Sequence, residues 1–331
     1  MILFDPSALL DFPRYGIQIP ALDSRKIRTI EFLRSHPQLS GREREWLHEG
    51  FDDTTEPEHL FRVHSRDYAQ GFFDEQAADR LKAAFELVNP DGTYNRWNPQ
   101  SAENPLEELI PSLMKMEAGT WRTGKIALDE GFCHYMGGGA HHGHRDFGHG
   151  FCPVNDVAVA IRRLQNEGAV NRVWIIDVDA HKGDGTAAIF RDDDSVRTLS
   201  IHMASGWPLD GSLPPSHPSW TPSDIDIPVE SGEEQFYLSR LSEGLDRLAD
   251  SSGPDMAFVL AGVDPWEGDI LPSTHLLNLS MEQMIERDRL VYQFLEAQSL
   301  PSAWVTAGGY GEDSWRIHSA FLEWVLLRRL T

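Results

Sequence analysis

The feature that most constrains this chain is a repeated switch between two hydrophobic periodicities. Short runs rich in β-branched and aromatic residues, bounded by Gly, Asp or Pro, fall at Phe132–Met136, Arg172–Asp177, Val196–His202, Met256–Ala261 and Ser302–Ala307. Each reads as a buried strand. Between them lie helix-like stretches at Pro111–Glu130, Val154–Glu167, Glu233–Asp250, Met281–Gln298 and Ser314–Leu330, with Gly168 stopping the second. Strand and helix therefore alternate, the order expected of a mostly parallel sheet with helices on both faces. The expectation is an α/β protein of one three-layer domain over residues 1–331. Its 331 residues, 40% of them hydrophobic, are enough for a sizeable core.

Two polar stretches interrupt the pattern. Glu86–Pro111 is rich in Pro, Asn and Gly around Tyr94 and Trp97, and Ala204–Ser223 holds five prolines and two tryptophans. Both read as long loops and candidate pocket rims. The net charge of −23 opposes direct nucleic-acid binding through a basic surface. Two cysteines, Cys133 and Cys152, make no disulfide framework and fit a reducing cytoplasm. No segment approaches the ~20 apolar residues of a membrane span, and the start lacks a signal-peptide pattern.

Chemistry-bearing residues follow the predicted strands one after another: Gly137-Gly138-Gly139-Ala140-His141-His142, Asp177-Val178-Asp179-Ala180-His181, Ser200-Ile201-His202, Gly262-Val263-Asp264 and Gly308-Gly309-Tyr310. In an open parallel sheet, ligands bind beyond the carboxyl ends of the strands, so these segments should meet in one crevice. Asp179 and His181, two apart, present a carboxylate and an imidazole to one side of an extended segment. Asp264 would complete an Asp-His-Asp set with an open position for water, the arrangement of a catalytic rather than a structural zinc site. His141 and His142 are candidates for proton transfer, with Asp177 and Asp184 to orient them. The Tyr310 hydroxyl could hydrogen-bond a developing oxyanion.

Taken in order, these segments resemble the histone deacetylase family, including its bacterial acetoin-utilisation and acetylpolyamine amidohydrolase branches, with class IV-like motifs. The matching residues also include Gly150-Phe151-Cys152, Lys182-Gly183-Asp184-Gly185 and Pro265-Trp266-Glu267-Gly268-Asp269. The resemblance implies the arginase–deacetylase fold and zinc-dependent cleavage of an acyl amide, the substrate being acyl-lysine or a small acylated amine. It implies Zn2+ on Asp179, His181 and Asp264, with Fe2+ as a possible replacement, and pairs His141 with Asp177 and His142 with Asp184. Tyr310 would hold the scissile carbonyl. Gly150, Phe151 and Cys152, with Trp207 opposite, would form the substrate tunnel, and a structural K+ would use Asp177, Asp179, His181 and Ser200.

Lys182 departs from the histidine of many relatives and is expected to point away from the metal. His144, Arg145, Asp146 and His149 read as a rim loop or as exposed residues without a role, and His134 as a core histidine. Asp91, Glu103, Glu107 and Glu108 are candidates for a substrate-gripping acid. A two-manganese ureohydrolase would need carboxylates where Gly183 and Trp266 stand. An inactive binding relative should have lost a proton-transfer group or the tyrosine.

Overall fold

A computed structural model of the protein describes residues 1–251 and 253–330. Eight strands form one sheet: β1 Ile2–Phe4, β2 Leu47–Glu49, β3 Phe132–Tyr135, β4 Val173–Asp177, β5 Val196–Met203, β6 Ile225–Val229, β7 Met256–Leu260 and β8 Ser302–Val305. Their order is β2-β1-β3-β8-β7-β4-β5-β6, and every neighbouring pair is parallel.

Alternation along each strand divides the core in two. In β4, Val173 and Ile175 face one side with Phe258 and Val305, against the helices Ile110–Glu130 and Asp156–Asn166. Trp174 and Ile176 face the other with Val259 and Trp304, against Tyr237–Ala249, Met281–Ala297 and Trp315–Leu330. Because both faces are covered, the central strands β4 and β7 are buried at every position and read as nearly continuous apolar runs.

The five expected strands are present to within about two residues at each end, the normal uncertainty of such boundaries. Three further strands do not stand out in the sequence. β1 and β2 are three residues each, too short for a period to show. β6, Ile-Asp-Ile-Pro-Val, carries Pro228, which cannot donate to a ladder and is tolerated because β6 lies at the sheet edge.

β3, β8, β7 and β4 are neighbours in the sheet although far apart in sequence. Their carboxyl ends lead directly into His141-His142, Tyr310, Asp264 and Asp179-His181. Four chemistry-bearing turns therefore open on one rim.

Candidate metal centre

Asp179, His181 and Asp264 come together at the ends of β4 and β7, fully buried, with one ligand atom from each lying within 4.8 Å of the others. His181 Nδ1 stands 3.2 Å from Asp179 Oδ1 and 3.1 Å from Asp264 Oδ2, while its Nε2 meets the Ser273 hydroxyl at 3.1 Å. Backbone amides orient the carboxylates: Gly308 N–H donates to Asp179 Oδ2 at 2.9 Å, and Ala180 N–H to Asp264 Oδ1 at 3.0 Å. Glycines leave them room. A Cβ on Gly308 would stand 2.5 Å from both Asp179 Oδ2 and Asp264 Oδ2. Arg25 clamps that turn by donating to the carbonyls of Ala307 at 2.6 Å and Gly308 at 2.8 Å.

The charges around this point fit a cation. Burial and the neighbouring Asp179 raise Asp264 to about 7. At Asp179 burial opposes ionisation, but His141 and His181 outweigh it and hold the group below the ordinary carboxylate range. Burial would lower His181, yet its bonds to Asp179 and Asp264 raise it to about 10. Two carboxylates and an imidazole held this close in a buried site form a two-oxygen, one-imidazole donor set that suits a divalent ion of the Zn2+ type.

Two histidine–carboxylate pairs flank the cluster. His141 Nδ1 lies 2.7 Å from Asp177 Oδ2, and His142 Nδ1 lies 2.6 Å from Asp184 Oδ1. Burial lowers His141, but Asp177 and Asp179 outweigh it and raise the ring to about 9. His142 goes the other way: burial and the His141 charge hold it well below 6.5 despite Asp184. The two neighbouring rings are therefore pushed in opposite directions, His141 toward holding its second proton and His142 toward the neutral form. Ser200 pairs with Asp177 in the β4–β5 register.

Gly150, Phe151, Trp207 and Tyr310 line one pocket with His142 and His181. Trp207 packs on His142 with ring centroids 4.6 Å apart, and Phe151 faces Tyr310 at 6.4 Å. A Cβ on Gly150 would stand 2.3 Å from the Trp207 ring, so only glycine fits there. Cys152 lines a second, inner cavity of about 130 Å3 that also reaches His141, Asp179 and Tyr310. Burial and the Asp264 and Asp179 charges raise the Tyr310 phenol well above its usual value, so it stays protonated.

Several expectations change here. His144 is not an exposed rim residue: it is 2% exposed, and with part-buried His149 it reaches Asp184, whereas Arg145 and Asp146 are exposed. The acid at the pocket is Glu86, paired with Arg96, rather than Asp91, Glu103, Glu107 or Glu108. Both belong to a loop whose polar composition hides which residues turn inward. Lys182 points away from the centre to Asp226 at 2.9 Å, and His134 is fully buried in the core. Gly183 and Trp266 bring no carboxylate to a second, bridged metal.

A parallel α/β sheet with an Asp-His-Asp cluster and two histidine–carboxylate pairs at its carboxyl edge defines a class of metal-site protein. The histone deacetylase domain matches residues 21–322, and the chain belongs to that family. An uncharacterised protein of Picosynechococcus sp. is 36% identical over 222 residues, 67% of this chain and 69% of that one. Histone deacetylase 2 of Arabidopsis thaliana is 29% identical over 218 residues, 66% of this chain but 54% of that protein, so the match spans about half of its length. The crystal structure of the HDA15 HD domain shares the fold, with a TM-score of 0.72 at 18% identity over 99% of this chain and 90% of that one. Among the described residues no helix is long and apolar enough to cross a membrane.

Proposed function

We propose that this chain hydrolyses an acyl amide, deacylating acyl-lysine in a protein or peptide or a small acylated amine such as an acetylpolyamine. One observation carries the reading: the three ligand atoms of Asp179, His181 and Asp264 converge beside two histidine–carboxylate pairs and a protonated tyrosine. When bound there, zinc would lower the pKa of a water to ~7 and polarise the substrate carbonyl. A structural K+ beside it, at Asp177, Asp179, His181 and Ser200, belongs to the same family reading.

The chain's own groups do the rest. With its Nδ1–H donated to Asp184, His142 keeps a free Nε2 that accepts a proton from the attacking water and returns it to the leaving amine. His141, cationic against Asp177, offsets the negative charge that builds up. The Tyr310 hydroxyl donates to the carbonyl oxygen as it becomes an oxyanion. Phe151 and Trp207 hold the linear chain of the substrate between them and exclude water.

Tyr310→Phe and His142→Ala should each reduce turnover by about 10²–10⁴ with metal content unchanged. Asp264→Ala should instead lose the metal. A panel of acyl-lysine peptides and acetylpolyamines, with metal analysis of each variant, checks both expectations. Full activity in Tyr310→Phe and His142→Ala would overturn the mechanism.

A further inference from the structure

We propose that the cluster around Asp184 is a second, inhibitory site for a divalent cation of the Zn2+ type, sharing His142 with the proton-transfer pair. Only its effect on turnover rests on the hydrolase reading above. Its binding stands on geometry. Asp184 is fully buried, and four side chains gather on its carboxylate, three of them on one oxygen. Oδ1 meets His142 Nδ1 at 2.6 Å, while Oδ2 faces His149 Nε2 at 3.0 Å, His144 Nε2 at 3.2 Å and the Ser219 hydroxyl. A carboxylate oxygen offers about two lone-pair sites, so three donors on Oδ2 leave one in surplus. His144 Nε2 also lies 3.4 Å from Ser219 Oγ, so imidazole, hydroxyl and carboxylate atoms close on one point, as ligand atoms do about an ion.

The contacts of 2.6, 3.0 and 3.2 Å are those of hydrogen bonds, and only a small opening separates them from the spacing of ligands about an ion. Ligand atoms about 2.0–2.1 Å from a tetrahedral zinc stand roughly 3.4 Å from one another. The His142, His149 and Asp184 atoms all lie within 4.8 Å, and Ser219 Oγ lies 3.4 Å from His144 Nε2. Imidazole, carboxylate and hydroxyl donors select a zinc-like ion over Mg2+ or Ca2+. Entry is open through His149, whose side chain is 13% exposed beside Trp207.

Occupancy and catalysis would exclude each other. A nitrogen that binds a metal carries no hydrogen, so the proton on His142 Nδ1 moves to Nε2. That ring can then no longer accept a proton from water. The Asp184 bond that orients it is lost at the same time. A metal at this site therefore stops turnover without touching Asp179, His181 or Asp264.

Metal-free protein dialysed against rising free Zn2+, with bound zinc and turnover read together, tests this. Two zinc ions per chain are expected, the first restoring turnover and the second abolishing it. In His149→Asn the second ion should bind at least about tenfold more weakly, with inhibition shifted to the same extent. Ser219→Ala supplies a second variant if His149→Asn does not fold. Saturation at one zinc per chain up to millimolar free Zn2+ overturns the proposal, as does a second ion held equally by both variants. Two ions bound by a protein that cleaves no acyl amine would support this site and remove the hydrolase reading instead.

Discussion

At the scale of single residues, the candidate metal centre depends on atoms that are missing as well as on the donor groups gathered there. The convergence of Asp179, His181 and Asp264 was legible because Asp-x-His at strand spacing and Gly-Val-Asp stand at strand ends. The room they occupy was not, since a glycine in a turn looks the same whether it frees a dihedral or vacates a volume. Gly308 vacates a volume, because its absent Cβ would stand 2.5 Å from two ligand carboxylates. Gly308→Ala should therefore push Asp179 and Asp264 apart and weaken metal binding by about 10–100-fold, as disturbing groups around a metal site commonly does. The backbone fold should survive. Chelator competition against a thermal melt separates the two effects, and an unchanged metal affinity would show that the turn yields instead. The convergence of His144, His149 and Ser219 on Asp184 was also hidden, because His144 and Ser219 are 75 residues apart in sequence.

At the scale of elements, the sequence pattern located the helices of the second half of the chain but not what holds the sheet rim in place. The helix Met281–Ala297 carries Arg287, which is fully buried despite being a residue that normally marks an exposed face. Arg287 Nη1 donates to the Val178 carbonyl at 2.9 Å and to the Gly262 carbonyl at 2.7 Å, joining the turns that follow β4 and β7 just before Asp179 and Asp264. Its charge is balanced by buried Asp288 at 2.7 Å. Arg287→Met removes both strand ties and leaves Asp288 as an uncompensated buried carboxylate. A loss of about 3–5 kcal/mol is expected in urea unfolding, with weaker metal binding in the folded fraction. Arg287→Met/Asp288→Leu, which removes both charges, should recover much of the stability and little of the metal affinity. Equal recovery of both would mean that the carbonyl bonds do not position the ligands.

At the scale of the whole molecule, buried imidazoles set how the protein answers acid. Burial holds His134 down to about 3 and His64 down to about 4, and keeps His318 well below 6.5, so all three stay neutral in the folded protein. In the unfolded chain they take up protons near pH 6.5. Because the folded value lies below the unfolded one, stability is complete above pH ~6.5 and falls as pH drops toward 4. At pH 5 His134 and His64 each cost about 2 kcal/mol, and His318 acts in the same direction. Glu117 works in the opposite sense. Burial raises it to about 8, above its unfolded value, so the penalty it imposes at neutral pH fades as pH falls, returning about 2–3 kcal/mol by pH 5. The histidine losses and this return oppose each other between pH 7 and pH 5, and Asp264, raised to about 7, acts in the same sense as Glu117 where no metal holds it. The histidine loss begins before most surface carboxylates protonate and relieve the charge of −23. Thermal melts of the metal-loaded protein and of a histidine variant, compared over that interval, read the histidine contribution. His134→Leu, which replaces a buried imidazole with no hydrogen-bond partner, should remove about 2 kcal/mol of the histidine loss at pH 5. An unchanged slope in His134→Leu would show that the ring titrates alike in the folded and unfolded chain.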